Sequence, residues 1–230
     1  MDLRLLRSAV IGPCGLEAQD LVEISGSVES GKSLVLQQLI AHCLAPYKFG
    51  GREWSVLLIN LSHKISRESL TKSLKAELRA NSEVGTEGPE DSPHKEQLLA
   101  EIAGECLRRV RFFNCFCTED VNMALVDSRF AVLQNPSVQL VALDTLSEFY
   151  WLDFAQRTEK LSRFRHYRLW QARLERLCRE AIVCGMYTVD SAFLEDKYGE
   201  PLPRVQVNHH FKMQKIRGRI AVNGQPVDFV

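Results

Sequence analysis

The amino-acid sequence predicts an α/β fold: a mostly parallel sheet flanked by helices on both faces, closed by a C-terminal hairpin. Three observations carry that expectation. Strand-length apolar runs alternate with amphipathic helical stretches, as in a doubly wound sheet. The apolar run at Leu21–Ile24 leads into Gly26-Ser27-Val28-Glu29-Ser30-Gly31-Lys32-Ser33, which fits G-x-x-x-x-G-K-[ST]. A second run, Val138–Leu143, ends on Asp144, at the strand end where open α/β sheets place their ligands.

The chain has 230 residues, 45% hydrophobic and 25% charged, which suits one α/β domain with a sizeable core. Residues 21–230 are expected to form that core and 1–20 an N-terminal segment, too short for a separate helical domain. Lys plus Arg and Asp plus Glu each number 29, so no global field draws the protein to nucleic acid or membrane, and any such contact needs a local patch. The apolar runs fall short of the roughly 20 residues of a membrane span. Met1 to Gly15 holds no secretory signal, and no membrane partner is expected. Seven cysteines, an odd number mostly within apolar patterns, suit reduced buried thiols of a cytosolic or nuclear protein. Cys115 and Cys117 have no second Cys/His pair at zinc spacing, and His209 and His210 would face opposite ways on a strand. No protein-only metal site is expected.

Taken in order, the glycine motif comes first. Phosphate oxygens must approach several consecutive main-chain N–H groups, and Gly26 and Gly31 permit that approach. The helix that follows, marked by Leu34, Val35, Leu39 and Ile40, adds unpaired N–H groups and a positive dipole end. Lys32 would neutralise the β- and γ-phosphates, and Ser33 would offer its hydroxyl to Mg²⁺. The competing reading is a chance match in an ordinary glycine turn. The strand before and the helix after favour a nucleotide cradle, with ATP and Mg²⁺ as its ligands. After a loop at Pro46–Gly51, Ser55–Ile59 reads as a buried strand, and Ser66–Ala80 as a helix through Leu70, Leu74 and Leu78. Residues 81–94 mix Gly85, Gly88, Pro89 and Pro93 with acids, which predicts a flexible insertion. A helix over Lys95–Arg109 and a strand over Val110–Phe116 follow. Thr118 is expected to cap a helix over Glu119–Leu133. Asn223-Gly224 predicts a terminal hairpin between Ile220–Val222 and Val227–Phe229, with Pro226 at its edge.

Asp144 is placed to orient Mg²⁺ from beyond the motif; otherwise it is a turn or cap residue. Thr145 follows it, so no second acid stands there. The stretch after Ile59, Asn60-Leu61-Ser62-His63-Lys64, has no carboxylate either, and an exposed loop histidine such as His63 is usually incidental. Without a water-activating group, bound ATP would turn over slowly. From Arg157 to Arg179 eight Arg/Lys stand against Glu159 and Glu175. Helical winding puts Tyr167, Trp170, Leu174, Leu177 and Cys178 on one face and Arg165, Arg168, Arg176 and Arg179 on the other, within roughly 80°. That basic side is either a solvated surface or a contact for a phosphate backbone or an acidic partner. It lacks an aromatic residue to stack bases.

Assembled, these pieces resemble the RecA-type recombinase family, and within it the eukaryotic strand-exchange paralogues. Glu23-Ile24-Ser25-Gly26 is a familiar opening there. Leu143-Asp144-Thr145 running through Phe149-Tyr150-Trp151 to Asp153 is the most telling stretch, and Ile220–Phe229 matches the closing hairpin. The resemblance implies a RecA-like P-loop NTPase core and homologous-recombination repair of DNA. It further implies a nuclear location, assembly with other recombinase paralogues, most directly the D-type one, and ATP-linked binding of single-stranded or branched DNA by the hetero-complex. The departures matter too. Asn60 and Ser62 stand where active recombinases carry an acid, and Val189-Asp190 where they carry a Gln. The second DNA-contacting loop, Ser191–Arg204, is short, and there is no Phe-x-x-Ala polymerisation segment. These point to a subunit that does not form filaments and binds nucleotide with little hydrolysis. The alternative is an active DNA-stimulated P-loop ATPase or a P-loop small-molecule kinase.

Overall fold

The fold is that of a computed structural model, which describes residues 10–11, 15–81, 93–156, 161–199, 202, 205–216 and 218–227. The insertion expected at 81–94 lies almost wholly outside the described residues, as do most of segment 1–20, Arg157, Lys160 and Phe229. Among the described residues, no helix is long and apolar enough to cross a membrane.

The chain runs β1 (Leu21–Gly26), α1 (Lys32–Leu44), β2 (Ser55–Asn60), α2 (Arg67–Ala80), α3 (Pro93–Leu107), β3 (Val110–Asn114), α4 (Thr118–Gln134) and β4 (Val138–Asp144). It continues through α5 (Tyr150–Gln156), α6 (Arg163–Ala181), β5 (Cys184–Asp190), β6 (His209–Ile216), β7 (Arg219–Val222) and β8 (Gln225–Pro226). Among the described residues, eight strands form one sheet in the order β3-β2-β4-β5-β1-β6-β7-β8. Pairing is parallel from β3 through β6 and antiparallel from β6 to β8. Strands β1 and β2 are buried along their whole length, as parallel strands covered on both faces must be.

Alternate strand residues feed two cores. Val22, Ile24, Val56, Leu58, Leu140 and Met186 face a cluster completed by α1, α2 and α3. Leu21, Leu57, Ile59, Val141, Leu143 and Tyr187 face a second, completed by α4 and α6. The period-2 alternation of a strand makes this division.

Several boundaries differ from the sequence expectation: α3 ends at Leu107 rather than Arg109 and β3 at Asn114 rather than Phe116. Thr118 does not cap α4: Cys117 holds the cap position without a side-chain bond, and the Thr118 hydroxyl donates to Asp153 Oδ1 at 2.8 Å. The side chain turns inward to α5, where a buried acceptor outcompetes the exposed helix end. The terminal hairpin turns at Asn223 (φ 50°) and Gly224 (φ 81°), as a two-residue primed turn requires; its returning strand β8 already begins at Gln225, and residues 228–229 of the expected strand lie outside the described residues. Strand β6, parallel to β1 and antiparallel to β7, joins the hairpin to the sheet. His209 and His210 open β6, where His209 meets Asp20 and His210 meets Glu23.

Candidate nucleotide-binding site

The glycine motif joins the carboxyl end of β1 to the start of α1. Gly31 has φ 90°, a left-handed conformation that strains any residue with a side chain, so that position favours glycine. At Gly26 the constraint is proximity: a Cβ would sit 2.7 Å from the Met213 carbonyl of β6. Ser27, Val28 and Glu29 are exposed, whereas Ser30 is buried and its Oγ has no hydrogen-bond partner. Lys32 Nζ donates to the carbonyls of Gly26 at 3.0 Å and Ser27 at 2.6 Å. Burial pushes the Lys32 ammonium below its usual range with Lys64 adding to it, while the charges of Asp190 and Asp144 oppose the shift.

Asp144 closes the other side. It is wholly buried, and three hydroxyls surround its carboxylate. Ser33 donates to Oδ1 at 3.0 Å. Thr188 of β5 donates to the same oxygen, and Ser62 donates to Oδ2. The Asp144 carbonyl accepts from Leu61 N and Ser62 N. Ser33 and Asp144, 111 residues apart in sequence, are thus brought into direct contact. Asn60 points elsewhere: its Nδ2 donates to Ile65 O at 3.0 Å and Asn114 Oδ1 at 3.1 Å, tying the ends of β2 and β3 together. His63 is held in the same rim. Its Nε2 donates to the Cys115 carbonyl at 3.0 Å, and its ring stacks on Phe116.

Two acids of this rim carry no role in the sequence reading. Asp190 ends β5 in register with Gly26 and is the strongest charge acting on Lys32. Glu148 follows β4; burial, with the charge of Asp144 adding, pushes its carboxyl above the usual range against the pull of Lys64 and His63. Asp190 enters the sequence reading only as a departure, where the resemblance expects a Gln; its place beside Lys32 follows from the register of β5 on β1. Nothing local marks Glu148.

The basic helix α6 lies behind the sheet. Its buried side carries Tyr167, Trp170, Leu174, Leu177 and Cys178 as expected. Arg165, Arg176 and Arg179 are exposed and Arg168 half-buried. Arg176 pairs with Glu180 and Arg179 with Glu175, so the C-terminal half of the stripe is partly neutralised. A buried polar chain links α6 to the motif strand. Arg168 donates to Gln171, Gln171 to the hydroxyls of Tyr167 and Tyr187, and both hydroxyls to Glu23 Oε2 at 2.7 Å. Those tyrosines are pushed well above their usual range, first by burial and then by the Glu23 charge. At the start of α6 an open pocket of about 590 Å³ is lined by Trp151, Phe154, Arg163, Phe164, Lys197 and Tyr198. Arg163 lies over the Trp151 ring at 5.0 Å. Trp151 is thus an exposed aromatic beside Arg163, which winds to the side of α6 away from Arg165, Arg168, Arg176 and Arg179.

No protein-family model matches the chain. It is 27% identical over 134 residues to the DNA repair protein XRCC2 of Mus musculus, a match covering 58% of this chain and 42% of that protein. It is 26% identical over 163 residues to the DNA repair and recombination protein RadA of Methanocorpusculum labreanum, covering 66% and 46% respectively. The chain resembles the RecA-type recombinases. Its sheet is RecA-like, and each match spans less than half of the relative's own length.

The side chains present fit a Mg²⁺-bound nucleotide. Ser30 offers an unpartnered buried hydroxyl inside the loop, Lys32 a cation, and the Ser33–Asp144 pair a hydroxyl and a carboxylate oxygen at 3.0 Å. Such oxygens are what Mg²⁺ takes alongside water and phosphate.

Proposed function

We propose that this chain is a recombinase paralogue that does not form filaments. It acts as one subunit of a nuclear hetero-complex in homologous-recombination repair, with residues 21–230 as its RecA-like core. The D-type paralogue is the expected neighbour, and single-stranded or branched DNA the ligand of the assembled complex. Gly26–Ser33 cradles ATP, and Ser33 with Asp144 holds Mg²⁺, whose charge offsets that of the phosphates. Nucleotide serves chiefly as a structural ligand that stabilises the fold and the subunit interface by linkage.

One observation carries the low-turnover part of this reading. At the two positions where active recombinases hold an acid, Ser62 is spent on Asp144 and Asn60 on the ends of β2 and β3. Neither side chain activates water. The similarity to XRCC2 and RadA supports the repair setting, and the exposed Trp151 under the Arg163 guanidinium supports contact with single strands, since bases stack on aromatic and guanidinium faces. Lys32→Ala should weaken ATP binding and leave capture of partner paralogues largely intact. Loss of all capture by a folded Lys32→Ala protein would count against the reading.

An active ATPase is the second reading, and Glu148 favours it. A carboxyl pushed up in pKa beside Asp144 is a candidate to handle a proton. Turnover sensitive to both Lys32→Ala and Glu148→Gln would establish that role.

A further inference from the structure

Three charged side chains converge where β4, β5 and β1 end side by side: Asp144, Asp190 and Lys32. Asp190 and Gly26 are paired residues of adjacent parallel strands, and the Gly26 carbonyl accepts a hydrogen bond from Lys32 Nζ at 3.0 Å. The Asp190 carboxylate is fixed in place, because its Oδ1 accepts from Ala192 N at 2.8 Å at the head of the 3₁₀ turn Ser191–Phe193. It is half-buried, so water screens it incompletely.

We infer that Asp190 tunes the phosphate preference of the cradle, so that the ATP it holds is bound less tightly than a nucleoside diphosphate. This rests on the proposed nucleotide-binding role of Gly26–Ser33. The lysine of such a loop serves the β- and γ-phosphates, so a fixed negative charge beside it acts twice. It offsets the cation that a third phosphate would use, and it repels the added charge of that phosphate. Asp144 leaves less room for a remedy, since its carboxylate already accepts three hydroxyls.

Asp190→Asn isolates the charge, because an amide oxygen can still accept from Ala192 N and keep the turn. Titration calorimetry with Mg²⁺·ATP and Mg²⁺·ADP on the full chain reads the effect. Wild-type protein should bind ADP the more tightly. Asp190→Asn should tighten ATP by about tenfold and ADP by less than about threefold, as a unit charge near a partly buried site implies. Glu101→Gln, which removes a charge from the exposed face of α3, should change neither. Equal gains for both nucleotides, or none, would overturn the inference while leaving the cradle standing. Failure of either nucleotide to bind any of the proteins would overturn the cradle and the inference together.

Discussion

At the scale of single residues, the site is governed by how hydroxyls and amides are committed. Asp144 is surrounded by Ser33, Ser62 and Thr188, and burying a polar group costs free energy unless such hydrogen bonds replace those to water. Thr188→Val keeps the shape and removes one of them. A cost of about 1–3 kcal/mol is expected, read as a lower urea midpoint at unchanged m-value. An unchanged midpoint would mean that the remaining two donors suffice. The roles of these residues are unevenly legible in the sequence. Gly26, Gly31, Lys32 and Ser33 announce themselves by spacing. Asp144 follows from its place at the end of an apolar strand. That Ser62 meets Asp144 and Asn60 meets Asn114 depends on strand neighbours set by topology, which no local pattern encodes. The same holds for Asp190 and Glu148.

At the scale of elements, α6 is the clearest case. Its apolar face is readable from helical winding because Tyr167, Trp170, Leu174 and Leu177 recur at three- and four-residue steps. Its basic face is readable as a stripe, and the four-residue spacing of Glu175–Arg179 and Arg176–Glu180 already marks the pairs that the folded helix makes. Charge reversal there would also place like charges side by side in Arg176–Glu180 and Arg179–Glu175 and weaken the helix. Neutral replacements are therefore the better probe. Arg165, Arg168, Arg176 and Arg179 changed together to Gln should reduce single-strand affinity of the assembled complex and flatten its salt dependence, by roughly 0.7 in log–log slope for each phosphate no longer neutralised. Filter binding across a salt series reads both, and an unaltered slope would return this face to plain solvated surface. Other elements are less legible. Thr118 looks like a cap because sequence shows its type and not its direction. Strand β6 alternates buried Phe211 and Met213 with exposed residues, a period-2 signal masked by the mixed stretch before it.

For the whole molecule, the parallel sheet is legible because strands buried on both faces read as unbroken apolar runs. The strand order is not, since it depends on crossovers that only the folded chain displays. On the proposed function, the eight-stranded RecA-like sheet would carry a nucleotide cradle that stabilises more than it turns over. Ligand linkage then predicts that Mg²⁺·nucleotide at about 100 times Kd adds roughly 2.7 kcal/mol to stability. A thermal scan should display a rise in Tm for wild-type protein and none for Lys32→Ala. The fate of bound ATP tests the central claim most directly. Purified full chain, alone and with its partner paralogues and single-stranded DNA, is loaded with γ-labelled Mg²⁺·ATP, and released phosphate is followed over time. Bound nucleotide should remain ATP through many minutes. Phosphate release at ordinary enzyme rates of about 1 s⁻¹ or faster, abolished by Lys32→Ala, would contradict a cradle that serves mainly to stabilise.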